Sequence, residues 1–161
     1  MEKMRIPLRT NIEYFFNRPI GFSRDFTMEY PEIFIDPDLQ LFNLSGRYTI
    51  SRTREGLLLQ AWIEAEIESQ CSRCLDLFRA KVSTDFEELY VFGNRVQEEL
   101  DEEVVPEDGY IDLGKPIRDY LLLDLPMNLI CKQDCKGICV ECGINLNLQI
   151  CEHTDRRIIF D

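Results

Sequence analysis

Residues 131–153, CKQDCKGICVECGINLNLQICEH, constrain this chain more than any other stretch, because they gather five of the seven cysteines and the only histidine. The other two cysteines form a second short cluster, Cys71-Ser72-Arg73-Cys74. Seven thiols and one imidazole make eight donors, the number that two tetrahedral metal sites require when the protein supplies every ligand. The spacings are those of paired ligands: C-x2-C at 71 and 74, C-x3-C at 131 and 135, C-x2-C at 139 and 142, and C-x-H at 151 and 153. Two thiolates two residues apart in a tight turn can reach one metal, and Gly143, directly after Cys142, permits the sharp turn such knuckles use.

The expected pairing puts Cys71, Cys74, Cys131 and Cys135 on one metal and Cys139, Cys142, Cys151 and His153 on the other. A crossed arrangement, with Cys131, Cys135, Cys139 and Cys142 together and Cys71, Cys74, Cys151 and His153 together, satisfies the same spacings. Thiolates serve both zinc and iron–sulfur clusters; the C-x-H pair and the lack of ferredoxin spacing favour zinc. No ligand position is left open, so the sites are expected to be structural. Two alternatives stay open. His153 can be an ordinary surface residue, leaving the second site with three thiolates. Cys71 and Cys74 can be a redox pair, although such dithiols draw their acidity from a following helix, and strand alternation follows here.

Composition bears on the same question. The N-terminal residues contain no uninterrupted apolar run and no segment approaches membrane-spanning length, so a cytoplasmic protein is expected. Cytosolic thiols are held reduced, and an odd number of cysteines leaves one over in any disulfide framework. Thirty acids against 18 bases set the formal charge at −12, which opposes generic attraction to a nucleic-acid backbone and suits a basic protein partner. With one histidine there is little room for a triad, and neither a phosphate-binding G-x-x-x-x-G-K-[ST] loop nor a G-x-S-x-G elbow is present.

The length suits a single domain, 1–161, in the α+β class and mainly antiparallel β. Residues 1–40 are weakly patterned: short edge strands are expected at residues 4–8 and 22–28, with turns at Pro31 and at Asp36-Pro37. Over 41–92 a β-meander is expected. Phe42, Leu44, Tyr48 and Ile50 alternate with polar residues; Arg54, Glu55 and Gly56 make a turn; Leu57, Leu59, Ala61, Ile63, Ala65 and Ile67 form the longest clean strand. Phe78, Ala80, Val82 and Phe86 resume the pattern, which places Cys71 and Cys74 at a hairpin tip and predicts a meander curled toward a barrel. Residues 93–110 read as an acidic, solvated loop, with Glu98, Glu99, Asp101, Glu102, Glu103, Glu107 and Asp108 and no base among residues 98–108. A short helix is expected over 111–126, opened by Pro116 and ended by Pro126, and 127–161 is the cysteine-rich metal-binding segment.

Cys71-Ser-Arg-Cys74-Leu75, then Ile111-Asp112-Leu113, Leu125-Pro126 and the cluster from Cys131 through Cys135, Cys139, Cys142 and Gly143 to Asn145 and Asn147, resemble the YceD family, the large ribosomal RNA subunit accumulation proteins of bacteria and plastids. The motifs span roughly residues 57–153. Members often end the cluster in C-x-C where this chain has Cys151-Glu152-His153, a departure that imidazole ligation of zinc accommodates, and Val140 stands where a proline is common. The resemblance implies a non-catalytic role in accumulation or processing of large-subunit ribosomal RNA. Its partner would be the rRNA precursor or a basic ribosomal or assembly protein. Candidate RNA contacts are the bases near the knuckles: Arg73, Arg79, Lys81, Lys132, Lys136, Arg156 and Arg157. The rival functions are a thiol oxidoreductase or metal-dependent hydrolase, and a zinc-stabilised adaptor unrelated to ribosomes.

Overall fold

The computed structural model describes residues 8–95 and 103–153. They fall into two compact units, one built from residues before 67 together with 81–125, the other from 67–80 together with residues after 125. In chain order the elements are β1 (Arg9–Asn11), α1 (Glu13–Phe16), β2 (Ser23–Ile35), β3 (Leu39–Arg52), β4 (Gly56–Gln70), β5 (Leu77–Val91), β6 (Glu103–Val104), β7 (Tyr110–Asp112) and α2 (Gly114–Leu123). A 3-10 turn, Gly93–Arg95, follows β5. Among the described residues no helix is long and apolar enough to cross a membrane.

The first unit is organised on a mixed, mainly antiparallel sheet of order β2-β3-β4-β5-β6. Its inner face follows from the two-residue period: Leu57, Leu59, Ala61, Ile63 and Ala65 of β4 are buried, while Gln60 and Trp62 between them are exposed. Each fully buried Leu or Ile here contributes about 1.5–3 kcal/mol. α2 adds Ile117 and Leu121 to the core and stacks Tyr120 on Phe86 with centroids 4.6 Å apart, and Asp124, which caps its C-terminus, accepts the Thr84 hydroxyl at 2.6 Å. β1 and β7 form a separate two-stranded pair, from which Thr10 meets the Tyr48 hydroxyl at 2.7 Å within the core.

The strand alternation of β3 slips where the sequence does not announce it. The alternation places Phe42 on the Leu44 face, yet Leu41 is the fully buried residue and Phe42 only half-buried. Asn43, at φ 48, forms a bulge in the β3–β4 ladder between Phe42 and Ser45, and the extra residue inverts the in–out parity. The turn expected at Pro31 is also absent. β2 runs straight through it, because β2 is an edge strand and a residue without an N–H is tolerated there. Asp36-Pro37 does lie in the turn before β3. Gly56 opens β4 where a Cβ would lie 1.8 Å from the Tyr90 carbonyl oxygen, so only glycine fits.

The barrel-like expectation is not met, because the sheet is open. Closure requires the first and last strands to pair in a consistent stagger. Here β6 has two residues and joins β5 in parallel, and β2 and β6 are the two edges. Around the helix, Ile111 is buried between exposed Tyr110 and Asp112, so that part of the expected helix pairs as β7 with β1. The helix proper begins at Gly114, whose N–H donates to Asp112 Oδ1 at 2.8 Å. Of the acidic stretch, Glu98, Glu99, Asp101 and Glu102 lie outside the described residues. Glu103 pairs with Lys115 and Asp108 with Arg9, tying the remainder to α2 and β1. The strand expected at residues 4–8 lies outside the described residues except for Leu8.

Candidate metal centres

The first cluster is built on the turn between β4 and β5. Leu75 N–H donates to the Cys71 carbonyl and Cys71 N–H to the Asp76 carbonyl, both at 2.9 Å, with Leu75 at φ 64 closing the turn. This loop projects Cys71 and Cys74 inward, where they are 0 % and 4 % exposed. The C-terminal segment is bound to the same turn: Ser72 N–H donates to the Leu129 carbonyl at 2.8 Å, and Ile138 N–H to the Arg73 carbonyl at 3.1 Å. Arg73 completes the clasp through its guanidinium, which donates to the Cys135 carbonyl at 3.1 Å and the Gln133 carbonyl at 3.4 Å. Gly137, at φ 76, passes so close that a Cβ would lie 3.0 Å from the Arg73 oxygen.

Within that frame Cys71 Sγ lies 3.8 Å from Cys135 Sγ, and Cys74 Sγ 3.7 Å from Cys131 Sγ. A tetrahedral site with Zn–S bonds of about 2.3 Å has an S···S edge of about 3.8 Å. The donors of the first cluster therefore stand at the spacing such an ion requires. All seven cysteines are free thiols. Burial pushes the Cys71 thiol up, but the N–H groups of Cys74, Cys131 and Arg73 converge on its sulfur and hold it at about 6. At Cys74 the Asp76 N–H favours the thiolate. Burial and the neighbouring sulfurs of Cys71, Cys131 and Cys135 outweigh it and push that thiol up to about 12.

The second cluster forms within residues 139–153. Cys139 N–H donates to the Ile144 carbonyl and Gly143 N–H to the Cys139 carbonyl, both at 2.8 Å, with Gly143 at φ 74 making the knuckle. Cys151 Sγ stands 3.4 Å from Cys142 Sγ, 3.5 Å from Cys139 Sγ and 3.2 Å from His153 Nδ1. Cys139 is held down at about 7 by the N–H groups of Cys142 and Glu141. The His153 N–H favours the Cys151 thiolate, yet burial and the sulfurs of Cys142 and Cys139 push it up to about 11. In each cluster the donor atoms all lie within 4.8 Å of one another. The grouping follows the first of the two pairings considered from spacing, not the crossed one. Cys142 and His153 are exposed, whereas Cys139 and Cys151 are buried.

Sequence reasoning gave no role to two asparagines that organise this region. Asn147 donates through Nδ2 to Cys135 Sγ at 3.4 Å and accepts the Lys136 N–H at 2.9 Å. Asn145 accepts both the N–H and Nδ2 of Asn147 at 2.9 Å and donates to Asp76 at 2.8 Å. Metal ligands are characteristically oriented by such outer partners. The signals in the sequence are their place in the motif that resembles the YceD family and the Asn-x-Asn spacing inside a ligand-bearing loop. Of the candidate RNA contacts, Arg73 is engaged with carbonyls as above, Lys132 and Lys136 are exposed, and Arg156 and Arg157 lie outside the described residues.

An open, mainly antiparallel sheet with two four-donor clusters, one on a hairpin tip and one in a C-terminal loop, defines a protein whose donor sets could hold metal ions. The chain belongs to the family described as large ribosomal RNA subunit accumulation protein YceD, which it matches over residues 59–159. An uncharacterized protein of Mycobacterium tuberculosis is 34% identical over 102 residues, 60% of this chain and 48% of the relative. The large ribosomal RNA subunit accumulation protein YCED homolog 1, chloroplastic, of Arabidopsis thaliana is 45% identical over 47 residues, 29% of this chain and 15% of its own. Its Zea mays counterpart is 45% identical over 40 residues, 25% and 14% of the two chains. The chain thus spans at most about half the length of these curated relatives. No solved structure gives a significant match.

Proposed function

We propose that this protein is a non-catalytic, zinc-stabilised cytoplasmic factor that promotes accumulation of large-subunit ribosomal RNA. The observation that carries the reading is the family match over residues 59–159, which contains all eight cluster donors. Cys71, Cys74, Cys131 and Cys135 would hold one zinc ion, and Cys139, Cys142, Cys151 and His153 the other. Bound there, zinc supplies cross-links that a loop-rich segment of this size otherwise lacks. Four donors in each set leave no position for an exchangeable water, which supports a structural role over a hydrolytic one. Burial of Cys71 supports the same choice over thiol redox chemistry. The partner is the large-subunit rRNA precursor or a basic ribosomal or assembly protein, the latter suited to the −12 charge.

Cross-linked affinity capture from cells carrying a tagged full chain, with and without RNase, tests this. Enrichment of large-subunit precursor rRNA or its assembly proteins is the expected result. A discrete unrelated partner, with neither of these recovered, would overturn it.

A further inference from the structure

Four arginines and five aromatic rings interleave at one end of the first unit's sheet. The Arg18 guanidinium lies 4.1 Å from the Tyr14 ring centroid and 5.3 Å from that of Phe22. Arg24 lies 5.7 Å from Tyr14 and 5.3 Å from Phe26, and Arg52 lies 4.4 Å from Phe92. Arg54 joins Phe16, Arg52 and Phe92 around an open cavity of about 380 Å3. These groups are contiguous. Arg52 N–H donates to the Phe22 carbonyl at 2.7 Å, the Tyr14 and Phe22 rings meet at 5.6 Å, and those of Phe16 and Phe92 at 6.3 Å.

The arginines of this patch are not neutralised among the described residues, a state that Arg47, 5.5 Å from the Trp62 ring centroid, shares outside it. Arg9, Lys115 and Arg118 each pair with a carboxylate, whereas among the described residues none of Arg18, Arg24, Arg52 and Arg54 does. In a chain with 30 acids and 18 bases, Arg18, Arg24 and Arg52 resting on rings instead of carboxylates, with Arg54 beside them, are positive charge held in reserve. Asp25, next to Arg24, accepts the Thr49 hydroxyl at 2.6 Å; of Arg52, Nε is buried without a hydrogen-bond partner while Nη1 donates to the Thr53 carbonyl at 2.7 Å. A guanidinium laid on an aromatic face keeps its N–H edge directed sideways, the geometry that meets phosphate oxygens. Tyr14 and Phe16 remain 42% and 39% exposed, offering ring faces on which planar groups stack.

We propose that this arginine–aromatic end of the sheet binds single-stranded RNA. A single strand presents phosphates and unstacked bases together, the two partners these side chains call for, whereas a duplex hides its bases and a peptide of acidic residues offers carboxylates without aromatic bases to stack on the rings. The inference rests on the ribosomal-RNA reading above and assigns the contact to the first unit, not to the bases beside the metal clusters. Because the net charge repels RNA at a distance, recognition is short-range, carried by a few phosphates.

The test is fluorescence anisotropy of the zinc-loaded full chain with a labelled U-rich single strand of about 12 nucleotides, beside a duplex of equal length. The expected result is preference for the single strand, with log K falling against log salt at a slope near −3 if four phosphates are engaged at ~0.7 each. The double variant R18E/R24E should weaken binding roughly ten-fold or more and flatten that slope, and Tyr14→Ala should weaken it with the slope kept. Circular dichroism and metal content identify any variant that fails to fold. Absence of single-strand binding, binding unchanged in R18E/R24E, or capture of a poly-glutamate peptide in place of RNA would overturn the proposal. The ribosomal reading is separable: if depleting the protein lowers large-subunit rRNA and R18E/R24E restores it as well as wild type, this surface is wrong and that reading stands. If depletion leaves rRNA unchanged, that reading fails while the anisotropy still judges the surface.

Discussion

Cys71 and Cys74 are three residues apart and yet poised oppositely, one near 6 and the other near 12, because one sulfur collects backbone N–H groups and the other collects neighbouring sulfurs. Cys139 near 7 and Cys151 near 11 repeat the contrast. Metal requires every thiol deprotonated, so the high member of each pair must shed its proton when zinc binds at neutral pH. Zinc added to apo protein at pH 7 should therefore release at least one proton per site, read with an indicator dye, and affinity should fall as pH is lowered. Asn147 is the residue most exposed to test by single substitution: Asn147→Ala removes a donor to Cys135 and should lower affinity at the first cluster about 10–100-fold in a chelator competition. In the other unit, Gly56→Ala would force a Cβ against the Tyr90 carbonyl and should cost about 1–3 kcal/mol, seen as a lower denaturation midpoint.

At the scale of elements, β4 and β5 were legible because their alternation persists for 15 residues each, and the turn between them was bracketed by its own cysteines. β3 was only partly legible. A bulge residue adds one to the count, and Asn43 looks like any polar strand residue until its φ of 48 is seen. Asn43→Val should cost about 1–2 kcal/mol, since a β-branched residue resists the left-handed region, and a urea titration would read it. The turn at 71–76 and the C-terminal segment share one cluster, so Cys74→Ser should loosen both together. Limited proteolysis or amide exchange would register this as joint loss of protection, and protection retained in residues 126–153 would show that the first cluster is not what orders them.

For the molecule as a whole, the two clusters differ in exposure: Cys71, Cys74 and Cys135 are buried, while Cys142 and His153 of the second cluster are exposed. From protein loaded with zinc, a chelator should strip the metal in two phases, the second cluster first, and mass spectrometry of trapped thiols should find Cys142 alkylated before Cys71. What the sequence determined alone was local. Ligand-type pairs two to four positions apart pointed to metal chemistry, and a period of two to strands, since both properties are complete within a few residues. Tertiary structure decided which pairs meet, bringing Cys135 to Cys71 across 64 residues and Cys131 to Cys74 across 57. It decided that the sheet stays open, and it assembled Tyr14, Arg18, Arg52 and Phe92 into one patch from separate stretches of chain. Such contacts depend on register, edge pairing and loop closure summed over the whole chain, and no local pattern of residues carries that sum.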